Sequence, residues 1–418
     1  MMTASRREAA DCNGRSGGHK AFGIDPKLQS VEFVMRIVAD ENMPLVEEFF
    51  GEYGEITRLS GREMCADQLR DADILLVRSV TPVNAELLEG SRVRFVGTAT
   101  IGFDHIDRDY LDQHGIGFAS APGSNAESVV DWVLSSLLLL DEQDGRVFTE
   151  RVVGVVGAGN VGGRLLSRLR ALGVTCLVCD PPRAEAEGEE GFVELDELLE
   201  RADVVSLHTP LVSEGRHATF HLLNEQRIEA LRSDQVLISA GRGDCVDSEA
   251  LKARLQRDPG LRTVIDVWEN EPAIDEALYR LATIATPHVA GYSLEGKMLG
   301  SEMLYQAVSR FYGLPARRSL GQMMPENWLK RIALSGRAPP MEALRLCARS
   351  CYDVRRDALL MERYRRHYGM AEGFDLMRKE YPLRREYSSL RVELKRSAGA
   401  VREMLEHAGF SIRDKRRK

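Results

Sequence analysis

Nowhere does the 418-residue chain approach the run of about 18 apolar residues that a membrane-spanning helix requires. The longest candidate, Trp132 to Leu140, is too short, so no membrane partner is expected. The seven cysteines form no paired framework, which excludes a disulfide scaffold and fits a reducing compartment, the cytoplasm. No His or Cys cluster has zinc spacing, and no metal is expected. Cys176 and Cys179 fall in one apolar run, and Cys347 and Cys351 lie a helical turn apart, as packing residues would. No apolar core follows the first basic residues, which excludes a secretory signal, and Glu8, Asp11 and Asp25 count against a transit peptide. No repeat of solenoid period occurs. Residues 1–34, with Gly14-Arg15-Ser16-Gly17-Gly18, read as a flexible extension, and folded sequence begins at Met35, itself a candidate start.

What remains has the composition of a globular protein, 44% hydrophobic and 29% charged, and a length that suggests two or three domains. Net charge is −8 but is unevenly spread. Residues 321–418 hold 23 basic against 13 acidic side chains, a net +10, which leaves −18 for the first 320. The basic end could face phosphorylated metabolites, nucleic acid or an acidic protein surface; a solvated or dimer-facing surface is the better reading of the tail Arg413–Lys418, and no nucleic-acid partner is expected.

From Met35, continuously apolar runs alternate with helical stretches. Arg36–Asp40, Ile74–Ser79, Phe95–Thr98 and Ile116–Ala119 form one series. Val152–Val156, Thr175–Cys179, Val204–Leu207, Val236–Ser239, Thr263–Val267 and Thr283–Ala285 form a second. Uninterrupted apolar runs mark strands covered on both faces, and the intervals leave room for crossover helices, so two parallel, doubly wound sheets are predicted. A helix over about Asn125–Leu140, apolar nearly all round, should be buried between layers. After Leu314 the rhythm breaks into an α+β pattern, with helical patches near Met341–Arg356 and Ala398–His407 and a strand near Leu390–Leu394.

The strongest local motif is Gly157-Ala158-Gly159-Asn160-Val161-Gly162, directly after one apolar run and opening a helix to about Leu172. Gly157 permits a tight turn, Gly159 lets backbone approach a pyrophosphate, and Gly162 lets helix and strand pack closely. The helix N-terminus offers unpaired N–H groups to phosphates. Asp180 ends the next run, where an acid would bond ribose hydroxyls and repel a 2′-phosphate, which favours NAD over NADP; Arg183 beside it could accommodate that phosphate instead. Three further residues follow later runs. An Arg242 guanidinium can grip a carboxylate through two parallel hydrogen bonds. A His288 imidazole can take a hydroxyl proton, and a carboxylate such as Glu271 can orient it. Those are the groups needed to oxidise a 2-hydroxy acid.

These motifs, with His208-Thr209-Pro210, Gly241-Arg242-Gly243, Asp266-Val267-Trp268, Glu271-Pro272 and Pro287-His288-Val289-Ala290-Gly291, resemble those of the D-2-hydroxyacid dehydrogenases. Asp40–Pro44, Val77–Thr81, Gly97–His105, Tyr352–Asp357 and Arg384–Leu390 narrow the resemblance to the branch acting on a phosphorylated four-carbon acid. The resemblance spans Met35 to about Ile412. It implies NAD-dependent oxidation of 4-phospho-D-erythronate to 2-oxo-3-hydroxy-4-phosphobutanoate, a step toward pyridoxal 5′-phosphate. It implies a flavodoxin-like substrate domain in two pieces, 35–126 and 289–314, around a Rossmann NAD domain, 127–288, and a homodimerisation domain, 315–418. It gives Arg242 the substrate carboxylate, His288 the acid/base role and Glu271 its orientation. Asn160, Val161, Asp180, Thr209, Ala240, Gly241, Asp266 and Gly291 would contact NAD. Ser79, Thr100 and Tyr292 would contact substrate, with Arg78 as a charge near its phosphate. The same triad would also serve a phosphoglycerate, glycerate or lactate dehydrogenase, or persist in a non-catalytic NAD-sensing corepressor; a formate dehydrogenase would be expected to pair its His with Gln.

Overall fold

The computed structural model describes residues 34–335, 337–394 and 398–414. The expected extension falls, but for Val34, outside the described residues, as do the last four residues of the basic tail.

Five strands build the first sheet: β1 (Met35–Asp40), β2 (Gly54–Leu59), β3 (Ile74–Val77), β4 (Phe95–Thr98) and β5 (Gly117–Ala119). They are parallel in the order β2-β1-β3-β4-β5. Alternate residues of one strand point to opposite faces, and both faces are covered. Ile37, Ala39, Ile74, Leu76 and Phe95 pack on one side with Phe49, Phe50, Leu304, Tyr305 and Val308. Val38, Leu75, Val77 and Val96 pack on the other with Leu69, Leu87, Leu88 and Leu111. Leu304–Val308 belong to the helix Leu294–Tyr312, so sequence more than 180 residues beyond β5 closes the first sheet's core.

The second sheet holds β6 (Val152–Val156), β7 (Thr175–Cys179), β8 (Val204–Leu207), β9 (Val236–Ser239), β10 (Arg262–Ile265) and β11 (Ile284–Ala285). All pairings are parallel, in the order β11-β10-β9-β8-β6-β7. β6 thus lies between β7 and β8, and the segment after β7 continues the outer edge, Val193 N donating to Val178 O at 2.8 Å, in keeping with the expected Rossmann winding. The consequence is local: the topological switch point, where ligands of such sheets bind, falls between β6 and β8. The helix Ala126–Asp144 is buried because it is sandwiched. Trp132, Val133 and Leu137 share one cluster with Val153, Val155 and Ile238 of the sheet and with Leu344, Tyr352, Tyr387, Leu405 and Phe410 of the C-terminal region.

That region carries a small parallel sheet, β12 (Arg331–Ala333), β13 (Arg391–Leu394) and β14 (Ser411–Asp414), in the order β12-β13-β14. The helical patch expected over 341–356 is two helices, Pro340–Cys351 and Val354–Tyr368. The chain breaks at Tyr352-Asp353, where the Asp353 carboxylate caps the second helix by accepting from Arg355 N. A further helix, Met370–Lys379, follows. Part of the charge asymmetry is met within the chain. Arg345 and Arg349 reach Glu142, Arg365 reaches Glu276 at 2.8 Å, and Arg385 reaches Glu295 at 2.6 Å. The acidic surface facing the basic end is therefore in part the chain's own. No helix among the described residues is long and apolar enough to cross a membrane.

Candidate active site

The glycine turn lies at the carboxyl end of β6. Gly157 has φ +83°, a left-handed conformation that a side chain would strain, and its N–H donates to Cys179 O at 2.9 Å. A Cβ on Gly162 would meet Gly157 O at 1.9 Å, so this glycine lets the helix Asn160–Ala171 close on the turn. A Cβ on Gly159 would meet nothing within 4 Å, which leaves that backbone open to a ligand. Asp180 Oδ2 accepts from Ala158 N at 2.7 Å and Oδ1 from Arg183 N at 3.2 Å. A carboxylate has about four acceptor positions, so capacity remains for ribose hydroxyls. Arg183 is turned back: it donates to Ala158 O at 2.7 Å and pairs with Glu187. That engagement removes it as a partner for a 2′-phosphate. The open turn, the helix N-terminus and the acid at the end of β7 fit a dinucleotide without that phosphate.

Across the switch point, Thr209 is buried after β8, and its hydroxyl lies 3.4 Å from Cys245 Sγ. Ala240 N donates to Leu207 O at 3.2 Å, and a Cβ on Gly241 would meet Thr209 O at 2.6 Å. The stretch around Arg242 therefore packs directly on the one holding Thr209. Neighbouring His208 bonds Ser206 and is held down to about 4 by burial, so it is neutral and structural.

The segment after β11 carries His288 with φ +56°, an uncommon conformation for a residue with a side chain. Asp266 holds it there. Its buried carboxylate accepts from Thr286 Oγ1 at 2.5 Å and from the N–H groups of Val289 and Ala290 at 2.9 Å, while His288 N donates to Asp266 O at 2.7 Å. His288 Nδ1 lies 2.8 Å from Glu271 Oε2, and Trp268 N donates to Glu271 Oε1 at 2.9 Å. Burial would raise the Glu271 carboxyl, but His288, Arg378 and the Trp268 N–H together outweigh it, and the net direction is downward. The pair leaves His288 Nε2 without a hydrogen-bond partner among the described residues, as an acid/base requires.

Arg242 donates from Nε to Asp104 Oδ2 at 3.1 Å and from Nη1 to Gly241 O at 2.9 Å. Asp104 sits in the loop after β4, so the guanidinium reaches across to the first sheet. It can do so because residue 102 is glycine: a Cβ there would stand 1.7 Å from Arg242 Nη2. In that loop Thr100 Oγ1 bonds Thr98 Oγ1 and Gly102 O, both at 2.8 Å, and Thr98 bonds His105, which burial holds down to about 4. Ser79 is exposed beside Arg78, which pairs with buried Asp40 at 3.0 Å. A Cβ on Gly291 would meet Asn125 Nδ2 at 2.3 Å, where the two chain crossings between the sheets touch. Sequence reasoning missed Gly102 and Asp104 as partners of Arg242, and Asp266 as the clamp on the His288 segment. It also missed Arg378, whose guanidinium reaches Tyr292 and acts on Glu271. Gly102, Asp104 and Asp266 stand in stretches that the sequence singles out, but nothing local in them marks these partnerships, and nothing local marks Arg378. Among the described residues no group of three or more His, Cys, Asp or Glu is placed to hold a metal ion.

The family described as D-isomer specific 2-hydroxyacid dehydrogenase, NAD binding domain, matches residues 136–290. A domain of unknown function matches 323–409. In fold, the chain is similar to D-lactate dehydrogenase from Aquifex aeolicus complexed with NAD and lactic acid, at a TM-score of 0.57 and 26% identity, covering 66% of this chain and 95% of that one. NAD-bound 3-phosphoglycerate dehydrogenase of Entamoeba histolytica shares the fold at a TM-score of 0.59 and 22% identity, over 67% of this chain and 96% of that one. Fold and site define an NAD-dependent 2-hydroxyacid dehydrogenase. The chain is 63% identical over 379 residues to erythronate-4-phosphate dehydrogenase of Chromohalobacter salexigens, which covers 91% of this chain and 99% of that protein. It is 51% identical over 384 residues to the enzyme of the same name from Marinobacter nauticus, over 91% of this chain and all of that protein. The chain belongs to the erythronate-4-phosphate dehydrogenase family.

Proposed function

We propose that His288 takes the proton of the C2 hydroxyl of 4-phospho-D-erythronate, with Glu271 orienting the imidazole and Arg242 holding the carboxylate and the developing carbonyl oxygen. The product is 2-oxo-3-hydroxy-4-phosphobutanoate, on the route to pyridoxal 5′-phosphate. Bound NAD supplies the acceptor for the hydride that leaves C2. The carrying observation is the 2.8 Å bond between His288 Nδ1 and Glu271, on a segment clamped by Asp266, with Nε2 left for substrate. As proton is taken up, the Glu271 carboxylate stabilises the imidazolium, and the Arg242 fork meets charge growing on the C2 oxygen. Asp104 now occupies part of that fork; a substrate carboxylate replaces one acid by another.

In this reading Gly157, Gly159, Asn160, Val161 and Gly162 cradle the pyrophosphate, and Asp180 takes the adenosine ribose. Thr209, Ala240, Gly241 and Gly291 line the nicotinamide end, where Asp266 fixes the wall. Ser79, Thr100 and Tyr292 position the substrate, and Arg78 faces its phosphate. Residues 35–126 and 289–314 form the substrate unit and 127–288 the cofactor unit. Residues 315–418 mediate homodimerisation, a role that the exposed apolar side chains Leu346 and Leu359 suit. The cytoplasm is the proposed site of action. Initial rates with NAD on 4-phospho-D-erythronate, D-erythronate, 3-phospho-D-glycerate and D-lactate test the assignment. The first is expected to show the highest kcat/KM; a higher value for any other acid would contradict it.

A further inference from the structure

Beyond the strands of the first sheet lies a cleft that extends past the acid/base pair. Asn42 follows β1, Arg62 follows β2 and Arg78 follows β3, so their loops meet at the carboxyl end of the sheet. Tyr292, four residues past His288, forms one wall. The remaining wall comes from the far end of the sequence: Arg378, on the helix Met370–Lys379.

The charges there are unequally matched. Arg78 is paired with Asp40 at 3.0 Å, and Arg62 with Asp375 at 2.8 Å. Glu41 also borders the cleft, as does Lys379. Behind Tyr292, Lys297 Nζ stands 4.5 Å from the ring centroid. With Arg378, five cations stand here against four carboxylates, Asp40, Asp375, Glu41 and, beyond Arg378, Glu271. Among these five cations Arg378 alone has a donor that is buried and unmet: its Nε has no hydrogen-bond partner among the described residues. An unmet buried donor is costly, and a charged one more so. Arg378 Cζ lies 5.9 Å from the Tyr292 ring centroid. Burial would raise the Tyr292 phenol, yet Arg378, Lys297 and Arg78 together bring it below its usual value, as this excess of positive charge requires. Tyr292, which lines the cleft with Arg378, is four residues past His288 and so joins the cleft to the acid/base segment; Arg378 also acts on Glu271.

We propose that Arg378 binds the 4-phosphate of the substrate in this cleft, so that the C-terminal region supplies the group selecting a phosphorylated acid. A phosphate brings several acceptor oxygens in the arrangement that a guanidinium fork matches, and it would satisfy Nε. Arg78 and Tyr292 complete the pocket from the first sheet and from the His288 segment. The proposal rests on the reading above that the substrate is phosphorylated.

The test compares kcat/KM for 4-phospho-D-erythronate with that for D-erythronate in the full-length protein, its Arg378→Gln variant and its Arg378→Lys variant. Binding of inorganic phosphate to each is measured in parallel by calorimetry. The preference for the phosphorylated acid is expected to fall about 10- to 100-fold in Arg378→Gln, a loss of one to two powers of ten in discrimination. Arg378→Lys should fall by less, since it keeps a charge but not the fork, and the Kd for inorganic phosphate should rise in the same order. Should Arg378→Gln not fold, the same ratio in Arg378→Lys decides. An unchanged preference overturns the proposal. So does an equal fall for both acids, which would assign Arg378 to Glu271 alone. An unmodified protein with no preference for the phosphorylated acid sinks the substrate reading instead, a distinct outcome.

Discussion

Substituting Gly102→Ala separates the positioning of Arg242 from the stability of the fold. The added methyl would stand 1.7 Å from Arg242 Nη2, 2.9 Å from Cζ and 3.1 Å from Asp104 Oδ2. Carbon needs roughly 3.5 Å from a non-bonded neighbour, so the end of the guanidinium must retreat by about 1.8 Å. The obstacle is the far end of a flexible, half-buried side chain, so the chain can yield at little cost in stability. A change on this scale in a partly exposed loop is expected to stay within about 0.5 kcal/mol in the folded state. Catalysis is less forgiving, because a displacement of about 1 Å in a positioning group can cost about 100-fold. The variant should therefore melt like its parent and bind NADH with the same affinity, while kcat/KM for 4-phospho-D-erythronate, followed by NADH absorbance, falls by about that factor. A variant with kcat/KM within about twofold of the parent would refute the idea that the fork must sit where it does.

Two other perturbations test separate parts of the account. Arg242→Lys should lower kcat/KM by at least about 100-fold with NADH affinity retained, because a point charge cannot replace a planar fork; stopped-flow binding beside initial rates checks both. Burial pushes the Glu386 carboxyl up to about 8, with the Ser293 hydroxyl pulling the other way and Asp131, Glu295 and Glu127 adding to the rise. The folded protein then keeps a proton that the unfolded chain releases above 4.5. The associated stability is complete below that pH and is lost as pH rises toward about 8, at up to about 1.4 kcal/mol per pH unit. Glu386→Gln, which mimics the protonated acid, should flatten that decline in a calorimetric pH series; parallel curves for the two proteins would contradict it.

The sheets were legible in the sequence because both faces of their strands are covered. Val152–Val156 and Val204–Leu207 read as unbroken apolar runs, a pattern that needs no knowledge of neighbours. The strands that escaped are edges. β2, Gly-Glu-Ile-Thr-Arg-Leu, has no buried residue, and β12 (Arg-Ile-Ala) and β14 (Ser-Ile-Arg-Asp) flank β13 with one partly buried Ile each between exposed neighbours. The helix Val354–Tyr368 was obscured for a related reason: it buries only Val354, Asp357 and Met361 under a strongly charged face. The site divides the same way. The glycine turn, Asp180, Arg242, Glu271 and His288 stand in local motifs whose spacing carries chemistry. Gly102, Asp104 and Arg378 act on partners more than 100 residues away in the sequence, and no single stretch records such a partnership.

The account turns on His288 as the group that takes the substrate proton. Measuring kcat for 4-phospho-D-erythronate in His288→Ala, with NAD binding followed separately, tests this most directly. Loss of a positioned acid/base group costs about 100- to 10,000-fold, and the account predicts a fall of that order with NAD still bound. A variant that binds NAD and turns over at the parent's rate would contradict it.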